Sequence, residues 1–274
     1  MRRCVAILFL GLLAGPAQGQ TLDTTALKPC GETVAGDATG GARFKSADGQ
    51  TIKSALVKAP ELWEPGANYA SWPHAIEARK ALQEKVAGKS VTLYCEGQKT
   101  NRLGELVAHV IMPDGRWLAL ELVREGHVFV FPGATRRQGL ESLYAAEEEA
   151  RAARRGLWQF KNLTPVTADG GEVKPSWFQI VRGTVKDVGA VRGTYFLNFG
   201  DDWRTDFTIE IPPLVVRQFT QLGRNPEDLR GHMLEGRGWI DFKAGPRLLL
   251  QGPGQLRLLD VASDTPAEKQ SQPE

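Results

Sequence analysis

Glu61 is the first residue whose setting suggests chemistry. It closes the run Ala59-Pro60-Glu61, where proline ends a strand's hydrogen-bond ladder and leaves a carboxylate at the strand tip. Other reactive side chains are present without the spacing that chemistry needs. His74, His109, His127 and His232 are scattered and form no paired metal-binding pattern, so structural or surface roles are expected of them. The cysteines, Cys4, Cys30 and Cys95, cannot make a four-cysteine zinc site. No serine sits in a nucleophile elbow, and no glycine-rich loop follows a phosphate-binding pattern.

The elements that must position Glu61 are legible upstream and downstream of it. Phe44-Lys45-Ser46 and Thr51 to Val57 read as two strands around Asp48-Gly49, a strong hairpin signal. His74 to Val86 reads as a helix after Pro73, with Ala75, Ala78, Leu82 and Val86 as its apolar stripe. Strands are expected at Ser90 to Tyr94, Leu106 to Met112 and His127 to Phe131, and helices at Leu118 to Arg124 and Gly139 to Arg155. The acidic run Glu147-Glu148-Glu149 before Arg151, Arg154 and Arg155 is expected to be a solvated helix face. Gln20 to about Gly40 reads as a polar lead-in.

The hairpin, the Ala59-Pro60-Glu61 corner, the stretch Asn101-Arg102-Leu103-Gly104 and the closing Gly156-Leu157-Trp158 occur in an order that resembles the thermonuclease (staphylococcal nuclease-like) family. The resemblance covers residues 35–160 and implies a five-stranded OB barrel with three helices. In that family two aspartates hold calcium, a glutamate activates water, and two arginines hold the phosphate. Here Gly40-Gly41-Ala42-Arg43 aligns with the family's DGDT, and Lys53 to Glu61 with its R-L-x-G-I-D-A-P-E strand. The first metal aspartate is thus Ala42, the first arginine Lys53 and the second metal aspartate Lys58. The second arginine is Glu105, and Glu61 with Ala59 survives. Matching DGDT to Asp48-Gly49-Gln50-Thr51 instead leaves too few residues for the hairpin, and still replaces the metal aspartate, by Gln50. Phosphodiester hydrolysis needs a divalent ion and cations around the phosphate, and hard cations need several oxygen ligands. The departures therefore imply an intact frame around a degraded site, with no metal held.

The 274 residues suffice for two ordinary domains, and a net charge of +2 argues neither for nor against a polyanionic partner. Residues 1–19 read as a signal peptide: Arg2-Arg3, the apolar run Val5 to Ala14, then Ala17-Gln18-Gly19 before Gln20. The alternative is an uncleaved anchor, although the run is short for a bilayer. Cleavage leaves no membrane span and implies a periplasmic or secreted protein. Cys30 and Cys95 then remain as a disulfide candidate closing a loop of about 65 residues, or as two free thiols.

Residues 161–175, with Pro165, Gly170-Gly171 and Pro175, read as a linker. Residues 176–262 carry strands at Phe178 to Val188, Tyr195 to Phe199 and Phe207 to Ile211, a helix at Leu214 to Leu222, then strands at Met233 to Phe242 and Leu248 to Gln251. Three strands, a helix and two strands is the order of a second OB-like barrel, making the chain α+β overall. Tyr195, Phe199, Trp203 and Arg204 are its candidates for stacking on single-stranded nucleic acid; the competing expectation places those aromatics in the barrel core. Residues 263–274 are a polar tail.

The expectation for function is an exported, non-catalytic thermonuclease-like binding or scaffold module without cofactor, whose partner is an unknown protein or nucleic acid. Two alternatives stand beside it. One is an active metal-dependent nuclease with displaced ligands, which would use calcium. The other is single-stranded nucleic-acid binding by the second domain.

Overall fold

Residues 21–62, 71–169, 172–202 and 204–259 are described by the computed structural model. The expected signal peptide, the tail 263–274 and Trp203 lie outside them. The chain opens with β1 (Lys28–Gly40), β2 (Arg43–Ser46), β3 (Thr51–Ser54) and β4 (Val57–Lys58). It continues through α1 (Ala75–Val86), β5 (Ser90–Cys95), β6 (Leu106–Ile111), α2 (Leu118–Arg124), β7 (Phe129–Val130) and α3 (Leu140–Ala152).

Strands β1, β2, β3, β6 and β5 close a barrel in that order, with β3 and β6 parallel. Helix α1 buries the four residues of its expected stripe, Ala75, Ala78, Leu82 and Val86. The segment expected to be a polar lead-in is instead the longest strand of this barrel. β1 pairs with β5 along its first half and β2 along its second. Its apolar content is thin because Ala35, Ala38 and Gly40 are the positions that turn inward, so no hydrophobic alternation marks it. A register slip against β5 leaves Cys30 over between Pro29 and Gly31. Cys30 is bonded to Cys95 across that ladder, with Cα atoms 5.8 Å apart.

The single strand expected at Thr51 to Val57 is two. Ser54 ends the barrel portion, and Leu56 adopts a left-handed φ of 63°. The chain then leaves the barrel as β4 and pairs with β7, setting Lys58 opposite Phe129.

The second half comprises β8 (Val166–Thr167), β9 (Phe178–Thr184), β10 (Asp187–Val191), β11 (Thr194–Asn198), β12 (Thr208–Ile211), α4 (Pro213–Gln221), β13 (Met233–Phe242), β14 (Pro246–Leu249) and β15 (Leu256–Leu258). Its sheet runs β10-β11-β12-β14-β13-β9-β8, with β15 on β13 and with β12 and β14 parallel. Counting β9 and β10 as one bent strand gives the strand order of the first barrel. Within residues 161–175, Leu163 is buried among aromatics, β8 joins β9, and Val173 packs on the second core.

Each half has its own apolar cluster, and a third lies between them. Trp72, Phe129 and Trp158 from the first half meet Phe178 and Ile180 from the second, with Trp177 and Trp239 packed against them. Beside this cluster lies an ion network. Arg237 of β13 is fully buried and reaches Glu147 at 2.9 Å, Glu235, and the Val130 carbonyl at 2.7 Å. Arg151 bridges Glu147 at 2.8 Å and Glu235 at 2.6 Å, and Arg182 adds a contact to Glu235 at 2.7 Å. The helix face expected to be solvated is therefore an interface. Glu147 and Arg151 lie on α3 beneath the second half, whose guanidiniums replace the lost water.

Burial alone would raise the Glu235 carboxyl; Arg237, Arg151 and Arg182 overcome this and hold it well below the usual carboxylate range. Because the folded value is depressed, the ionised group stabilises the fold above its ordinary value of about 4.3, and the contribution is lost as pH falls below it. Stability measured by urea denaturation should decline below about pH 4 and decline less steeply in Glu235→Gln. Arg237→Met, which takes the fully buried guanidinium away from two buried carboxylates and leaves them to Arg151 and Arg182, should cost about 3 kcal/mol in the same measurement. A loss under about 1 kcal/mol would show that the network does not hold the halves together.

Candidate functional site

The residues aligned with the nuclease site converge at one end of the first barrel. The Asp48-Gly49 turn sets the β2–β3 register so that Arg43 faces Lys53 directly. Glu61 follows β4, and Glu105 immediately precedes β6. Asn101 fixes the approach of Glu105: its Oδ1 accepts from the Leu103 and Glu105 amides, and its Nδ2 donates to Glu105 Oε2 at 2.7 Å.

Arg43 joins the two carboxylates. Its Nη1 lies 2.5 Å from Glu61 Oε1 and its Nε 2.9 Å from Glu105 Oε1, with both carboxylates nearly buried. The cation that meets Glu105 is therefore Arg43, from the strand before the hairpin turn. The signal was available: counting back from the Asp-Gly turn puts Arg43 across from Lys53. Burial first, then the neighbouring Arg43 and Lys58, push the Lys53 ammonium down to about 8; Glu105 and Glu61 oppose them.

Lys58 has a different setting. β4 carries it under the second half of the chain, where it is 8% exposed. Its Nζ lies 5.2 Å from the Trp72 ring centroid, 5.7 Å from Phe178 and 5.0 Å from Trp239, within cation–π range of all three. Two of those rings belong to the second half, and nothing in the sequence assigned them to this site.

Calcium does not fit these residues. Ala42 and Ala59 are buried methyl groups, and a Cβ on Gly41 would come within 2.7 Å of both Ala59 and Ala78, so α1 packs tightly against this corner. Among the described residues, no three His, Cys, Asp or Glu side chains come together as a metal-binding group. Glu61 and Glu105 already share one guanidinium, and Lys58 adds a further cation.

Of the residues expected on a stacking surface of the second domain, Tyr195, Phe199 and Arg204 are among the described residues. Phe199 is buried, its ring 5.3 Å from Phe207 in the core. Tyr195 packs against the same core, and Arg204 is exposed beside Asp202 at 3.9 Å. Nearby, Arg247 is held by Glu210 and Asp241, each at 2.5 Å. The histidines sit in packed settings. His109 is buried 3.4 Å from Glu96, and His74 stacks on His127 with ring nitrogens 2.9 Å apart.

Residues 51–160 match the family model described as Staphylococcal nuclease homologue. A region of 143 residues is 30% identical to a protein of Schizophyllum commune (strain H4-8 / FGSC 9210) named "Probable endonuclease LCL3", covering 44% of this chain and 48% of that one. The chain thus spans about half the length of the curated relative it matches. The first barrel is a thermonuclease-like domain. Ala42 and Arg43 precede the matched range, whereas Lys53, Lys58, Glu61 and Glu105 fall inside it.

Replacing Arg43 tests the core of this geometry. Arg43→Gln should cost about 1–3 kcal/mol by urea denaturation, because two nearly buried carboxylates lose their shared cation. Arg43→Lys should recover only part of that, since a single ammonium cannot reproduce the fork.

Proposed function

We propose that the thermonuclease-like domain of this chain is exported and does not hydrolyse phosphodiesters, and that it acts with its second domain as a binding or scaffold module. The observation that carries this reading is the Arg43 bridge. The glutamate that would activate water and the carboxylate standing where a phosphate-holding arginine would be are tied to each other through one guanidinium. An in-line attack on phosphorus needs the reverse: a free carboxylate and cations open to the phosphate. The buried Lys58 supports the same reading, because the second domain lies over a position that a metal-dependent relative keeps for its ion. The Cys30–Cys95 disulfide supports export, since such bonds persist in oxidising compartments.

The competing reading, an active nuclease with displaced ligands, draws on the matched relative's name. Incubating the purified protein with supercoiled plasmid and calcium or manganese separates the two. No nicking above that of Glu61→Gln is expected. Robust cleavage that Glu61→Gln abolishes would overturn the proposal. Restoring the site should restore its ligand. The combined variant Ala42→Asp, Arg43→Thr, Lys53→Arg, Lys58→Asp and Glu105→Arg should bind calcium in a calorimetric titration, with the parent chain giving no heat. Calcium binding by the parent would count against the proposal directly.

A further inference from the structure

A cleft of about 690 Å³ opens between the two halves, a size ordinary for small-molecule sites. The start of α3 forms one wall, with Leu140 and Tyr144, and the turn after α4 and the run from Pro253 into β15 form the rest. Leu222, Leu229, Leu256 and Leu258 make the lining largely apolar, with Leu222 exposed. Arg137, Arg224, Glu141 and Asp228 stand around it, two of each sign, and none of the four is ion-paired among the described residues. Behind the cleft lies the buried ion network, whose charges do not balance. Arg151, Arg182, Arg237 and Arg257 meet Glu147, Glu148 and Glu235, four guanidiniums against three carboxylates. Glu149, next along α3, is exposed and joins none of these pairs. One positive charge is left over, and Arg257 is the member of the network that lines the cleft. Both of its ion pairs use Nη1, to Glu148 at 2.8 Å and to Glu235 at 3.5 Å. Its Nε and Nη2 donate to no group among the described residues.

We propose that this cleft is a binding site for a medium-chain carboxylate, with the head group on Arg257 and the chain along the leucines. The Nε and Nη2 edge of a guanidinium offers two parallel N–H donors, which match the two oxygens of a carboxylate. Arg247 of this chain uses the same edge on Asp241, Nε to one oxygen at 2.8 Å and Nη2 to the other at 2.5 Å. A bound carboxylate brings the network to four charges of each sign, which an ammonium or a neutral head group does not. The Arg257 guanidinium is held in place for this by the Tyr144 ring, 4.4 Å away, and by its two glutamates. Burial of the alkyl chain against Leu222, Leu229, Leu256 and Leu258 supplies the remaining affinity. The cleft shares no residue with the Arg43 bridge or with the setting of Lys58, so the inference is independent of whether the first barrel cleaves phosphodiesters.

The test is a calorimetric titration of the intact protein with decanoate, and with decylammonium as the probe of opposite charge. Saturable binding of decanoate with a Kd below about 1 mM is expected. Decylammonium should bind at least about tenfold more weakly, because it adds to the unmatched positive charge. Arg257→Gln removes the donor fork and leaves three charges of each sign, so it should weaken decanoate by about tenfold or more. Leu222→Asp gives a second test that does not touch the buried network: the position is exposed, and a carboxylate there should repel the probe and weaken it by a similar factor. The absence of saturable decanoate binding, equal affinity for decylammonium, or parent-like binding by folded Arg257→Gln or by Leu222→Asp would overturn the proposal.

Discussion

The buried guanidinium of Arg237 is the contact on which the arrangement of the two halves depends. A fully buried charge is costly unless it is paired, and here Glu147, Glu235 and the Val130 carbonyl take its two Nη groups, while its Nε has no partner among the described residues. Glu147 comes from α3 and the Val130 carbonyl from the end of β7, so these two contacts tie the second half to the first. Tyr144 completes the seal. Its ring lies between the Arg237 and Arg257 guanidiniums at 4.5 and 4.4 Å, and its hydroxyl donates to Gly254 at 2.6 Å. Burial pushes that phenol up to about 12, so it stays neutral where the network needs a donor.

Strand β13 shows how one stretch serves two surfaces. Glu235, Arg237 and Trp239 alternate along it and face the first half, while Gly236 and Gly238 face the second core. A Cβ on Gly238 would lie 2.6 Å from Leu248, and one on Gly236 2.8 Å from Ile209. Small residues on the inner face let the sheet close, and the outer face presents ions and an indole to α3 and Lys58. The ion network and the aromatic cluster are thus two portions of one interface, and the second reaches Lys58.

The setting of Lys58 follows from this arrangement. In a barrel open to solvent, Lys58 would be a solvated cation. Under Trp72, Phe178 and Trp239 its stem and ammonium contribute to the packing between the halves. Lys58 of β4 is thus part of the packing between the halves.

The sequence by itself determined most of the element order from β2 to α3 and the apolar stripe of α1, and it singled out Cys30 and Cys95 as a candidate pair. Each rests on local signals: the Asp-Gly turn, a helical period, and two cysteines left in a chain read as exported. It did not show β1, because a strand whose inward residues are alanine and glycine carries no hydrophobic alternation. Nor did it show that Glu147 and Arg151 are buried, since a run of charges on a helix has the same pattern whether water or another set of charges faces it. Only the tertiary structure decided that Arg43 bridges Glu61 and Glu105 and that Trp239 lies over Lys58. Those pairs are joined by the packing of distant segments, and a pairing between residues far apart in the chain leaves no periodicity in either one.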